Sequence, residues 1–228
     1  VTGVLSGTLE ASGTWDLVLR ATDRAGASAT QTLQLQALAP ELRHPGDATD
    51  ELITGSSGHD HLAGLGGQDV ARGEAGDDAL DGGDGADTLL GGSGEDQLLG
   101  GHGDDELRGE DGHDRLQGED GADLLLGGAG DDTLDGGAGD DRLIGGSGGD
   151  TVLWGRGDGH DRLDNRALDG GPDGLDRLLF KPGLRPQDLS VVRTGDTDVT
   201  LTVRDSGDSI VLERFFDGQR LDNAVALE

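Results

Sequence analysis

One nine-residue phrase occurs eleven times in succession, without an insertion, over residues 55–153. Every phrase has glycine at positions one and four and aspartate at position six. Position eight is always apolar, and only Ala71 and Val152 replace leucine there. This strict period indicates a repeat architecture, in which each unit buries its apolar face only by stacking on its neighbours. The fold must therefore be built from stacked nonapeptides.

Within each phrase, the last three positions have the period-two alternation of a strand, with position eight facing inward. The first six positions predict a turn, because glycine at positions one and four permits a positive φ angle and lets carbonyl oxygens point inward. Two phrases then complete one coil of 18 residues. The predicted fold is all-β: a parallel β-roll with two sheets of very short strands, face to face, and stacked leucines between them.

Apolar burial cannot drive this folding alone. One leucine in nine residues provides little apolar area against the cost of ordering nine backbone units. Residues 55–153 contain 25 acidic and 4 basic residues, a net charge of -21, and stacking brings the position-six carboxylates into register. A divalent cation would turn that repulsion into attraction.

The whole chain has 228 residues, a formal net charge of -30, 32% hydrophobic and 2% aromatic residues, and no cysteine. This charge argues against nucleic acid or an anionic membrane surface as a partner and favours cations. The absence of cysteine excludes a disulfide framework. The sequence contains no run of 18 or more apolar residues, so it does not predict a membrane span. The chain starts with valine and contains no methionine, which predicts a piece of a longer protein, monomeric as a fragment.

Phrases such as GGAGDDTLD and GGSGEDQLL resemble the RTX, or haemolysin-type, calcium-binding repeat GGxGxDxUx. The resemblance implies a right-handed β-solenoid with Ca²⁺ between turns i and i+2. Each ion then takes carbonyl oxygens from positions one, three and five of one turn and donors at positions two, four and six of the other. Hard oxygen donors without thiolates also suit calcium better than zinc, copper or magnesium. Eleven turns form stacks of six and five, which gives about nine full sites.

Carried over by resemblance, the position-six ligands are Asp60, Asp69, Asp78, Asp87, Asp96, Asp105, Asp114, Asp123, Asp132, Asp141 and Asp150. The donors at position one are Gly73, Gly82, Gly91, Gly100, Gly109, Gly118, Gly127, Gly136 and Gly145. Those at position three are Ala75, Asp84, Ser93, His102, Asp111, Asp120, Ala129 and Ala138. Those at position five are Asp77, Glu95, Asp104, His113, Ala122, Asp131 and Asp140.

The carboxylates at positions three and five either strengthen single sites or are solvated charges, and the sequence leaves both interpretations open. Asp158 and Asp161, in an altered loop after the repeats, are candidates for a further ion. The first two phrases, GSSGHDHLA and GLGGQDVAR, lack the second glycine and an additional carboxylate. The N-terminal edge is therefore expected to bind calcium most weakly.

Three flanking segments complete the predicted organisation. Residues 1–38 contain two alternating apolar segments joined at DRAG, a β-hairpin that resembles the closing strands of a cadherin-like or Ig-like sandwich, with Trp15 in its core. Residues 39–54 carry two prolines and are predicted to be a linker. Residues 154–228 contain Trp154 and all three phenylalanines and predict a β-rich cap that covers the last coil. Within it, VTLTV and SIVLERFF predict a second hairpin.

No catalytic motif is convincing, so the chain is predicted not to be an enzyme. GGSGG at residues 145–149 matches G-x-S-x-G, but its glycines belong to the repeat. Lys181 is the only lysine, which excludes a Walker motif, and the histidines form no HExxH pattern.

The resemblance implies a calcium-responsive module of a secreted bacterial protein, located outside the cell or at its surface, that folds after export by a type I secretion machinery. Two alternatives remain open for the parent protein. In one, the roll is a rigid terminal spacer of an adhesin or surface-layer protein. In the other, it is the C-terminal module of a secreted enzyme whose catalytic domain precedes it.

Overall fold

The computed structural model describes residues 13–22, 28–37, 43–164 and 176–215. Within these ranges the chain forms β-strands and one short 3₁₀ helix, Pro186–Asp188, and no α-helix. The strands are β1 (Gly13–Thr22), β2 (Ser28–Ala37), β3 (Arg43–Asp47), β4 (Leu52–Thr54), β5 (His61–Gly66), β6 (Val70–Ala75), β7 (Ala79–Asp84), β8 (Thr88–Ser93), β9 (Gln97–His102), β10 (Glu106–Asp111), β11 (Arg115–Asp120), β12 (Leu124–Ala129), β13 (Thr133–Ala138), β14 (Arg142–Ser147), β15 (Thr151–Trp154), β16 (His160–Asp164), β17 (Arg177–Phe180), β18 (Leu189–Thr194), β19 (Asp198–Val203) and β20 (Ser209–Glu213). None of the described helical residues forms a segment long and apolar enough to cross a membrane.

Strands β3 to β17 alternate between two parallel sheets, as the repeat predicts. One sheet has the order β17-β15-β13-β11-β9-β7-β5-β3, and the other contains β16-β14-β12-β10-β8-β6-β4. From β3 to β15, pairing joins residues 18 apart, so that Leu107 stands beside Leu89 and Leu125. The last two pairs among these strands have longer spacings, from Arg142 to Arg162 and from Thr151 to Arg177. The all-β parallel roll is therefore confirmed.

The core is a single column of position-eight side chains between the two sheets. These side chains are almost fully buried, with exposures of 0% to 2% over the eleven phrases. They are Leu62, Ala71, Leu80, Leu89, Leu98, Leu107, Leu116, Leu125, Leu134, Leu143 and Val152. Because the positions on either side face outward, the predicted inward direction of position eight is confirmed.

The strands are longer than the three residues that the sequence predicts. β10 runs from Glu106 to Asp111 and so includes positions one to three of the next phrase. Its ladder passes from Arg108 to Glu110 and skips Gly109, the residue at position one. Parallel stacking in exact 18-residue register pairs these backbone segments although their glycine-rich composition has low strand propensity.

The two repeat glycines also differ in their physical role. Position four has positive φ angles in every phrase but the first, as in Gly94 at 137°, which confirms the prediction there. Position one does not, whereas position two does, both at Gly92 (115°) and at Glu110 (77°). The predicted reason for glycine at position one was therefore wrong, and the close approach described below replaces it.

The roll begins earlier than the sequence predicts. β3 pairs with β5 and β4 pairs with β6, so residues 43–54 of the predicted linker belong to the two sheets. Ile53, 2% exposed, occupies the position-eight place of this additional turn. The repeat pattern does not identify this turn, because Thr49 replaces the position-four glycine and Glu51 replaces the position-six aspartate.

The predicted N-terminal hairpin is present as a separate two-stranded antiparallel sheet, in which β1 and β2 pair from Gly13 with Ala37 to Thr22 with Ser28. The membership of this hairpin in a sandwich, with Trp15 in the core, stays a prediction.

At the other end, β16 and β17 continue the parallel stack, and β20 pairs with β16 in parallel. β19 and β18 then extend this sheet with antiparallel pairing. The predicted hairpin of VTLTV with SIVLERFF corresponds to β19 and β20. Trp154 is 1% exposed and contacts Phe180 edge-to-face, with ring centroids 6.1 Å apart. Phe215 packs partly buried against the core, while Phe216 lies outside the described residues.

Candidate metal centre

The position-six aspartates form two stacked ladders, one along each edge of the roll. The backbone N–H of Asp96 donates to Oδ1 of Asp114, 18 residues further along, at 2.9 Å. The same bond recurs from Asp60 to Asp78 and onward to Asp132 and Asp150, with distances of 2.7 to 3.0 Å. All eleven side chains are buried, with exposures of 3% or less. The sequence thus places each carboxylate inside a turn of fixed geometry.

In ten of these eleven carboxylates, all except Asp60, the second oxygen has no hydrogen-bond partner. A buried acceptor without a donor is costly, and a buried negative charge without a counter-charge is more so. The affected atoms are the Oδ2 atoms of Asp69, Asp78, Asp87, Asp96, Asp105, Asp114, Asp123, Asp132, Asp141 and Asp150. Such a regular row of orphaned oxygens is the pattern expected where a cation belongs.

Glycine at position one leaves room beside each orphaned oxygen. A methyl group on Gly91 would lie 2.4 Å from Oδ2 of Asp96 and 2.9 Å from the carbonyl oxygen of Gly109. At Gly109 the corresponding distances are 2.2 Å to Oδ2 of Asp114 and 2.6 Å to the carbonyl oxygen of Gly127. The glycines therefore open a small space in which a carboxylate and a carbonyl oxygen from successive coils converge.

The donor set consists of few carboxylates and many carbonyl oxygens. Among the described residues, no three His, Cys, Asp or Glu side chains gather into one metal-binding group. One carboxylate per turn must therefore act together with main-chain carbonyls. Calcium accepts six to eight such oxygens at about 2.3–2.6 Å in flexible geometry, so these residues fit calcium.

Burial raises the pKa of the central position-six aspartates far above the ordinary value of 3.8. The pKa is about 7 for Asp96, Asp123 and Asp132 and about 6 for Asp105. Loss of water is the main cause, the N–H bond from the preceding coil opposes it, and the neighbouring carboxylates of the ladder add to it. Without a cation, burial therefore favours the neutral, protonated form of these carboxyl groups. A bound cation would stabilise the charged form.

The carboxylates at positions three and five face solvent instead. Oδ1 of Asp104 accepts the N–H of Ala122 at 2.9 Å, and Oδ1 of Asp131 accepts the N–H of Gly149 at 2.8 Å. At position three, Asp120 lies 3.1 Å from Nδ1 of His102, and both side chains are about two-thirds exposed. The structure thus brings the position-six carboxylates into the turns and leaves these other acidic groups on the surface.

The two candidates after the repeats have different environments. Oδ1 of Asp161 accepts the N–H of Asp141 at 3.0 Å, so Asp161 takes position six of a twelfth turn that contains two additional residues. Asp158 instead lies 2.9 Å from the Lys181 ammonium, and its Oδ2 accepts the N–H of Gly155. Asp161 therefore extends the ladder, whereas the carboxylate of Asp158 is paired with the ammonium group of Lys181.

At the N-terminal edge, Glu51 lies at position six of the additional turn, and the sequence pattern did not identify it as a site residue. A methyl group on Gly46 would lie 2.2 Å from the carbonyl oxygen of Gly64 and 2.7 Å from Oε2 of Glu51, which repeats the arrangement of the central turns. Oε2 of Glu51 already accepts the N–H of Asp47, and Oδ2 of Asp60 accepts the N–H of Ser56. Glycine at residue 46, an acid five residues later and Ile53 were the available signals.

A sequence model described as the RTX calcium-binding nonapeptide repeat, in four copies, matches residues 45–80, 54–89, 81–116 and 117–152. No curated protein sequence matches the chain significantly.

Among solved structures, an extracellular lipase from Serratia marcescens is 18% identical, with a TM-score of 0.42 over 83% of this chain and 40% of the lipase. The chain thus spans less than half of the lipase. A subunit of the mannuronan C5-epimerase of Azotobacter vinelandii is 26% identical, with a TM-score of 0.30 over 60% of this chain and 87% of that subunit. Together with the roll and its two aspartate ladders, the sequence match assigns residues 45–152 to the family of RTX calcium-binding nonapeptide repeats.

Proposed function

We propose that this chain is a calcium-responsive folding module of a larger secreted bacterial protein, which folds outside the cell and so supports type I secretion and stability of that protein. The observation that carries the proposal is the row of buried Oδ2 atoms without hydrogen-bond partners. These atoms make the folded roll unfavourable until cations reach the turns. The module itself needs no catalytic group for this function.

Calcium binding and folding are one process in this proposal. The turns that hold the ions exist only when successive coils stack, so the free energy of binding becomes free energy of folding. About nine ions, one for each full gap between the eleven stacked turns of residues 55–153, would bring a charge of about +18 against the -21 of these residues. The position-six aspartates and the carbonyl oxygens at position one would hold these ions.

The dependence of folding on calcium would also support secretion. Where free calcium is scarce, the acidic repeat stays unfolded and can pass through a narrow transporter. Where calcium is abundant, the repeat folds and can no longer pass back through the transporter. The expected partner is a type I secretion machinery acting on the parent protein, whose own activity resides elsewhere in the longer chain.

The test is the calcium concentration at which the roll folds. We expect a cooperative transition near the ~10⁻⁴–10⁻³ M affinity typical of extracellular calcium modules. Limited proteolysis of the full chain across calcium concentrations measures the midpoint, and equilibrium dialysis counts the bound ions. A midpoint in the submicromolar range would contradict the secretion proposal, because the roll would then fold before export. Binding of only one or two ions would contradict the assignment of the ladders.

A further inference from the structure

Lys181 lies between two carboxylates at the C-terminal end of the roll. Its Nζ atom is 2.7 Å from Oδ1 of Asp135 and 2.9 Å from Oδ1 of Asp158. The three side chains are only 26%, 17% and 8% exposed, respectively. Since this is the only lysine among 228 residues, its position between two shielded carboxylates calls for an explanation.

The cluster joins three separate parts of the chain. Asp135 lies on β13, Asp158 lies in the loop between β15 and β16, and Lys181 directly follows β17. The sheet order β17-β15-β13 means that the lysine side chain reaches back across β15. Its backbone N–H donates to the carbonyl oxygen of Trp154 at 2.9 Å, which fixes the start of this path.

Gly155 opens the way for the lysine side chain. A methyl group on this glycine would lie 2.7 Å from Cβ of Lys181. The N–H of the same glycine donates to Oδ2 of Asp158 at 2.7 Å. One oxygen of Asp158 is thus held by the backbone, and the other faces the ammonium.

Lys181 lies where the next turn of the stack, after β17, would begin. β17 continues the coil-to-coil register of β15, with Leu178 beside Val152 and Leu179 beside Leu153. A further repeat phrase would begin here, but the sequence continues as KPGLRPQDL and has neither the glycines nor the aspartate of the repeat. Asp158 lies at position three of the turn below, because its carbonyl oxygen accepts the N–H of Gly139 at 2.9 Å.

We propose that the Lys181 ammonium is a built-in cation that closes the C-terminal end of the stack in place of a calcium ion. It holds the junction of roll and cap together without calcium and presents an ordered end on which calcium-bound coils assemble. This inference rests on the proposed calcium-driven folding and adds the group that ends the stack without calcium.

The charge of the lysine is secure in this position. Burial alone disfavours the ammonium, but the hydrogen bonds and charges of Asp135 and Asp158 outweigh burial and keep the pKa of Lys181 above its ordinary value. In the folded junction the lysine therefore carries its charge, and it faces Asp135 and Asp158 without a metal ion. In a solenoid, where each unit contacts only its neighbours, a new coil adds most easily to an ordered one.

Trp154 reports on this junction, since it is buried, contacts Phe180 and accepts the N–H of Lys181 at its carbonyl oxygen. We would use the full chain with Trp15→Phe, so that Trp154 is the only tryptophan. In calcium-free buffer with chelator, we expect its fluorescence to be blue-shifted and protected from acrylamide. Lys181→Gln should expose it and raise the quenching constant about threefold. Arg177→Gln, which removes an equal charge from an exposed residue of β17, should leave it protected.

A triple variant separates the charge of the lysine from its packing. Lys181→Met with Asp135→Asn and Asp158→Asn removes the cation and both anions together and should restore protection of Trp154. Exposure of Trp154 in the calcium-free parent chain, equal quenching in the parent and Lys181→Gln, or a failure of the triple variant to restore protection would each overturn the inference. Loss of the calcium-induced far-UV circular dichroism change in the Trp15→Phe chain would instead overturn the proposed function.

Discussion

The N–H of Asp87 donates to Oδ1 of Asp105 at 2.7 Å, while Oδ2 of Asp105 is buried without a partner. The two oxygens of one carboxylate therefore have different tasks. One joins successive coils, and the other is available only to a cation. This division allows the contribution of the cation to be measured separately from the contribution of the hydrogen bond.

Asp105→Asn keeps an acceptor for the N–H of Asp87 but removes the negative charge. We expect it to lower the free energy of unfolding in saturating calcium by about 1.5–3 kcal/mol, as for a lost charged partner. The neighbouring Asp104→Asn makes the same chemical change on the surface and should cost less than about 0.5 kcal/mol. Urea unfolding of both variants in calcium is the measurement. Equal losses would mean that the buried oxygen does not face a cation.

The position of an aspartate along the roll should also matter. Asp105→Ala removes a ligand with full turns on both sides, whereas Asp60→Ala removes one at the N-terminal edge, where Ser56 already donates to its Oδ2. We expect the central change to raise the calcium midpoint more, because an edge coil can fray without opening its neighbours. Calcium titrations of the two variants compare the midpoints. A larger shift for Asp60→Ala would mean that the N-terminal coil, and not the central coils, holds the roll together.

Glycine at position one should tolerate no side chain. Gly109→Ala places a methyl group 2.2 Å from Oδ2 of Asp114 and 2.6 Å from the carbonyl oxygen of Gly127, which fills the space between ligand oxygens. We expect loss of calcium-induced folding in the central turns. Gly157→Ala is the control, because its φ of 88° is unfavourable for alanine, which adds a strain that Gly109 does not have, but nothing lies within 4 Å. It should cost only about 1 kcal/mol of backbone strain. Similar behaviour of the two variants would show that no oxygen-lined space is needed.

The repeat predicted most of this arrangement because its period is also the period of the stack. Leucine at position eight identified the core, and aspartate at position six identified the ladders. The additional turn at residues 43–54 was missed because it has Glu51 and Thr49 where the pattern requires aspartate and glycine. The contact of Lys181 with Asp135 could not be predicted, since the two residues belong to different coils and no local pattern relates them.

The raised pKa values predict an unusual pH dependence for the calcium-free roll. The pKa of Asp96, Asp123 and Asp132 is about 7 in the folded state against an ordinary 3.8, so the folded state binds more protons between these values. Stability is then greatest below pH 3.8 and falls as the pH rises through 7. In calcium-stripped buffer, we expect more β-type circular dichroism at pH 4.5 than at pH 7.5. A gain of structure on raising the pH would contradict the burial of these carboxylates.

The most direct test is far-UV circular dichroism of the full chain, first in chelator and then in millimolar calcium at neutral pH. We expect the repeat to lack regular structure in chelator and to gain β-type signal cooperatively on addition of calcium. Magnesium at the same concentration should fail to replace it, because magnesium requires a small octahedral shell and keeps most of its water. A repeat that is already folded in chelator, with no change on addition of calcium, would contradict the claim that calcium holds the buried aspartate ladders together.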